Sequence, residues 1–141
     1  DLICIGASTG GTDVLIKMLA KIKKPCPPIM IVQHIFSNFS SEFAKKISDI
    51  ANLELGIIEN NSALKQNTIY MSLGDYHIGI HKLNGLLCLK LDSSSPILNH
   101  RPSIDFLFKS IANLKIKAFA ILLTGMGKDG ALGLSELRQN G

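Results

Sequence analysis

The stretch Leu2-Ile3-Cys4-Ile5-Gly6-Ala7-Ser8-Thr9-Gly10-Gly11 passes from an apolar run into a turn of small residues. Beyond it Val14, Leu15, Met18, Leu19 and Ile22 recur at helical spacing, so the segment reads as strand, tight turn and helix. Pro25, Pro27 and Pro28 break the chain before Ile29 to Val32, an apolar run expected to be a buried parallel strand ending at Gln33-His34. A βαβ unit results, and the expected fold class is α/β with a doubly wound, mostly parallel sheet.

Downstream, Ser40 or Ser41 is placed to cap a helix carrying Phe43, Ala44 and Ile47, with Glu42 near its positive end. Short strands follow at Leu55–Ile58, Thr68–Met71, Ile78–Ile80 and Leu86–Leu91, and Asn84-Gly85 marks an antiparallel hairpin insertion. After the loop Asp92–Pro96, Pro102 is expected to open a helix with Ile104, Leu107, Phe108 and Ile111 inward. Ala118–Leu123 reads as a strand apolar on both faces, Thr124–Gly130 as a glycine-rich turn, and Leu132–Asn140 as a helix with Gly141 at C′. No repeat and no long linker divides the chain.

Composition narrows the function classes. With 141 residues and 46% apolar content the chain can bury a core without metals or staples. Cys4, Cys26 and Cys88 are odd in number and lack C-x-x-C spacing, which fits a reducing cytoplasm. Apolar runs are too short to span a bilayer, and the N-terminus shows no export signal. The net charge of +4 is diffuse, with Lys21, Lys23 and Lys24 its tightest cluster, and two Tyr and six Phe offer little base stacking. Nucleic acid is therefore not the expected partner, and an acidic protein suits the surface equally well.

Gly6-Ala7-Ser8-Thr9-Gly10 matches G-x-S-x-G between a strand and a helix, the context of a nucleophile elbow. Read alone, it is equally a glycine-rich turn that binds phosphate or nothing. His34 ends the second parallel strand at the same sheet edge and is the candidate base, or else a cap for the loop from Phe36 to Phe39. Asp129 sits in the turn after the last strand, as the third member of a Ser-His-Asp set or as a helix N-cap. His77 and His81 share a strand face, but no nearby Cys or carboxylate completes a zinc set, so both are expected at the surface.

Five stretches together resemble the CheB family, the catalytic domain of chemotaxis receptor protein-glutamate methylesterases. They are Ile5-Gly-Ala-Ser-Thr-Gly-Gly-Thr12, Ile31-Val-Gln-His34, Gly74-Asp-Tyr-His77, His100-Arg-Pro-Ser-Ile-Asp105 and Leu123-Thr-Gly-Met-Gly-Lys-Asp-Gly-Ala-Leu-Gly133. The resemblance implies that residues 1–141 form one methylesterase catalytic domain. It implies Ser8 as nucleophile, His34 as base, Asp129 as the orienting carboxylate, the Met126 amide as an oxyanion donor, and Thr9 and His100 at the site. The implied reaction is demethylation of glutamyl methyl esters on cytoplasmic receptor helices, with deamidation of glutamines as a companion activity. Neither metal nor organic cofactor is implied, nor nucleic-acid binding or membrane insertion, and the implied compartment is the cytoplasm. The family usually carries a receiver domain before this one and continues beyond the position of Gly141, so the sequence reads as C-terminally incomplete. At Met71-Ser72-Leu73 it departs from the family's usual Ala-Pro pair. Two other readings stand beside this one: a non-catalytic anion- or protein-binding α/β domain, and an inert fragment of the esterase.

Overall fold

β1 (Leu2–Ala7) and β2 (Ile29–Gln33) are almost wholly apolar because helices cover both of their faces. The computed structural model, which describes residues 1–114 and 116–140, joins them to β3 (Glu54–Leu55), β4 (Thr68–Met71) and β7 (Ala118–Leu122). These five strands form one sheet in the order β3-β4-β2-β1-β7, and every pairing is parallel. On one face α1 (Gly11–Leu19) and α2 (Ser37–Ala51) bring Leu15, Leu19, Phe43 and Ile47 against Ile5, Ile31 and Ile69. On the other, α3 (Ile104–Ala112) sets Leu107, Phe108 and Ile111 against Cys4, Met30 and Val32, and α4 (Ala131–Asn140) adds Leu134 and Leu137. The doubly wound expectation holds.

The hairpin stands apart as a second sheet, β5 (His77–Leu83) with β6 (Leu86–Asp92). Its turn has φ of 51° at Asn84 and 81° at Gly85, the positive values that a two-residue hairpin loop needs. The ribbon lies on α3. The Ile80 amide donates to Ser110 Oγ at 2.9 Å, and a Cβ on Gly79 would stand 2.8 Å from Ser110 Cβ.

Several local expectations are corrected. α2 starts at Ser37, not at Ser40 or Ser41, because the buried Ser40 hydroxyl bonds inside the helix, to Ser37 O at 2.7 Å, and across to Leu73 O at 2.9 Å. α3 starts at Ile104, and its cap is Ser103, whose Oγ accepts from the Phe106 amide at 3.3 Å, so Pro102 lies before the helix. Of Leu55–Ile58 only Leu55 enters the sheet, preceded by Glu54, while β5 and β6 run longer than expected. Among the described residues β7, apolar on both faces, is an edge strand, half-buried, with Phe119 69% exposed. Gly141 lies outside the described residues.

Candidate active site

The sheet reverses its winding between β1 and β7, since β2 and β4 extend from β1 in one direction and β7 lies on the other side. Such a switch point leaves a crevice at the carboxyl ends of the strands. Three backbone bonds set the ends level there: His34 N to Ala7 O at 2.9 Å, Leu123 N to Gly6 O at 2.8 Å and Ser8 N to Thr124 O at 3.0 Å. Ser8 follows β1, His34 follows β2, and the Thr124–Gly130 turn follows β7.

Close packing decides the residues of the elbow. Gly10 has φ of 76°, a left-handed conformation that glycine adopts without a Cβ penalty, and the Gly11 amide closes the turn on Ser8 O at 2.8 Å. A Cβ on Gly6 would collide with the Ile104 side chain, and one on Gly125 would stand 2.7 Å from Ser8 Cβ. The two turns are also tied where Thr124 Oγ1 donates to Thr9 O at 3.1 Å.

The structure brings Ser8, His34 and Asp129 into one line. His34 Nδ1 is 3.2 Å from Ser8 Oγ, and its Nε2 is 2.9 Å from Asp129 Oδ2. An ionised carboxylate only accepts, so Nε2 carries the ring proton and Nδ1 presents its lone pair to the serine hydroxyl. The His34 side chain is 12% exposed and that of Asp129 1%, which leaves the ring accessible and its partner dry. Ser8, His34, Thr124, Gly125 and Asp129 border a small cavity of about 170 Å³.

Asp129 is a helix cap as well, though of α3 and not of its own helix. Ser103 Oγ donates to Oδ1 at 2.7 Å, the Asp105 amide to Oδ1 at 2.9 Å and the Ile104 amide to Oδ2 at 2.8 Å. Burial alone would push its pKa up. The His34 side chain, the two amides and the Ser103 hydroxyl outweigh burial and hold the carboxyl at about 2, against an ordinary 3.8. Asp105 repeats the device, accepting from the Gly133 amide of α4 at 2.7 Å.

His100 stacks on His34, with ring centroids 3.7 Å apart and planes 8° from parallel. Burial first, and then the neighbouring His34, lower its pKa below 6.5, against a smaller opposing pull from Asp129. Met126 is 90% exposed on the rim of the turn. His77 corrects the expectation of a surface position. It is fully buried, its Nδ1 accepts from the Ser103 amide at 3.1 Å, its Nε2 lies 3.2 Å from Ser95 O, and Phe106 stacks on its ring. The hairpin puts this strand face on α3, so the histidine serves the start of that helix. Among the described residues no group of three or more His, Cys, Asp or Glu is arranged to hold a metal ion.

Residue types alone did not mark Gln33 and Ser103, which bond directly to members of this constellation. Ser103 had a readable signal as a helix-start residue, masked by Pro102 beside it. Gln33 had only its place next to His34.

The model of the family described as CheB methylesterase matches residues 3–141. The chain belongs to the CheB methylesterase family. It is 42% identical to protein-glutamate methylesterase/protein-glutamine glutaminase 2 of Vibrio vulnificus, over 99% of this chain and 41% of that protein. A probable protein-glutamate methylesterase of Borreliella burgdorferi is 41% identical over all of this chain and 38% of its own length. The chain thus spans about two-fifths of these curated relatives. The crystal structure of the Thermotoga maritima CheB methylesterase catalytic domain superposes with a TM-score of 0.93 at 34% identity, covering 99% of this chain and 75% of that one. As in that domain, the fold is a parallel sheet with an antiparallel hairpin added.

Proposed function

We propose that this chain carries the active site of a protein-glutamate methylesterase that also deamidates glutamine, acting on the cytoplasmic helices of chemotaxis receptors. The observation that carries the reading is His34 held between Ser8 Oγ at 3.2 Å and Asp129 Oδ2 at 2.9 Å, the geometry of a serine hydrolase relay. The Vibrio vulnificus relative, whose name gives both activities, and the Borreliella burgdorferi one, whose name gives the first, support the choice of substrate.

Both reactions are acyl transfers. Ser8 Oγ attacks the side-chain carbonyl while His34 Nδ1 takes its proton, and Asp129 stabilises the imidazolium that forms. The same Nδ1–H then protonates methanol or ammonia as it leaves. Water, activated by His34, cleaves the acyl-enzyme and restores a glutamate carboxylate and free Ser8. Backbone amides of Thr9 and Met126, at the start of the elbow and on the facing turn, are the proposed donors to the oxyanion, each worth on the order of 3 kcal/mol in such sites. His100 covers the outer face of His34, and no step calls on a metal. A receiver domain elsewhere in a longer chain would be the regulatory partner, in a cytoplasmic protein. Among the described residues no helix is long and apolar enough to cross a membrane.

A fluorophosphonate probe tests this reading against an anion-binding turn or an inert domain. The expected result is one phosphonyl group on Ser8, with methanol release from methylated receptor lost in the same proportion. A protein that releases methanol with Ser8 fully phosphonylated, or that neither reacts nor releases methanol, would contradict it.

A further inference from the structure

Ser8 and His34 hang from different strands, so their 3.2 Å approach depends on how the ends of β1 and β2 are held together. The ladder between the strands runs out there, its last rung being His34 N to Ala7 O. Beyond that rung one side chain continues the connection. Gln33 Nε2 donates to Ser8 O at 2.9 Å and to His34 O at 3.2 Å, joining the main chains of both residues. Gln33 is 2% exposed. Its partners are both carbonyls, which accept only, so the NH₂ end must face them.

That orientation has a cost. Gln33 Oε1 is turned away, buried and without a hydrogen-bond partner, which is rare in a folded protein and calls for an explanation. It also crowds the start of α1, where a Cβ on Gly11 would stand 2.7 Å from Oε1. Ser8 O already accepts from the Gly11 amide at 2.8 Å, so the carbonyl does not need Gln33 to be satisfied. An apolar side chain of similar length would remove the orphaned acceptor and leave the Ser8 carbonyl paired, while the His34 carbonyl would lose its bond from Nε2. The arrangement leaves one buried acceptor without a partner and holds two backbones in register.

We infer that Gln33 is a positioning residue for the esterase reaction, an added rung that fixes the nucleophile's turn against the strand end bearing the base. The inference rests on the esterase reading above, and it assigns Gln33 no contact with substrate. Losing the rung lets Ser8 and His34 drift by fractions of an ångström, enough to slow proton transfer without weakening substrate binding.

The test compares the wild-type protein with Gln33→Met, and with Gln33→Leu as a second apolar variant. Methanol release is measured from a peptide carrying a glutamate γ-methyl ester, beside thermal unfolding. The expected result is a kcat lower by about tenfold or more, KM within about twofold, and an unfolding midpoint equal to or above the wild-type value. Gln33→Met with wild-type kcat would overturn the inference alone. A midpoint that falls together with activity in both variants, or loss of the folded state in both, would also overturn it, by making Gln33 a packing residue. A wild-type protein that releases no methanol would overturn the esterase reading, and this inference with it.

Discussion

Asp129 accepts four hydrogen bonds, from His34 Nε2, Ser103 Oγ and the amides of Ile104 and Asp105. These donors favour the charged form, so the folded state binds its proton later than the unfolded chain does. The resulting stability is fully present above about pH 3.8 and drains away as pH falls through about 2. The shift corresponds to about 2 kcal/mol, and Asp129→Asn cannot show this titration. The difference in unfolding free energy between wild type and Asp129→Asn should therefore shrink by about that amount between pH 5 and pH 2, followed by denaturant melts. A constant difference would show that the carboxylate is not held by these donors. From sequence, the carboxylate that orients His34 and the cap of the following helix are competing roles for this residue. The structure sets it against His34 and caps a helix with it at once, because the helix it caps comes from elsewhere in the chain, a pairing of distant elements that spacing alone cannot express.

At the scale of elements, what could be read in advance were the three turns that carry the site. Each follows a short apolar strand, and those after β1 and β7 are rich in small residues, while His34 is marked by its place at the end of β2, a local pattern that owes little to the rest of the fold. Less was legible where a helix start depends on distant partners. Ser40 resembles a cap until Leu73 O is seen to take its hydroxyl, and Pro102 hides the cap beside it. His77 looked like a surface residue because nothing in its own strand announces that α3 lies against it. Turn-to-turn contact also yields a prediction. A Cβ at position 125 would sit 2.7 Å from Ser8 Cβ, so Gly125→Ala must push the elbow and the β7 turn apart. Turnover should fall on the order of a hundredfold while circular dichroism is retained. A fully active Gly125→Ala variant would mean that the two turns do not need this contact.

For the whole molecule, the parallel sheet and its switch point follow from the βαβ reading, and they put all three side chains at one edge. Ala118–Leu122 has the apolar character of an interior strand, yet among the described residues its outer edge is unpaired and Phe119 is 69% exposed. Exposed apolar edges template pairing with other chains. The 141-residue chain should therefore self-associate with rising concentration, and Phe119→Lys should raise its monomer fraction in sedimentation velocity. Equal monomer fractions would show that this edge is not the contact.

The central claim is that one serine hydroxyl at this edge performs the acyl transfer. The most direct measurement is methanol release from methylated receptor by wild type and by Ser8→Ala, with the thermal midpoint of each recorded alongside. The account predicts a rate lower by several orders of magnitude in Ser8→Ala and a midpoint close to wild type, since a nucleophile and not a packing group is removed. A Ser8→Ala protein that keeps even a tenth of wild-type turnover would contradict it.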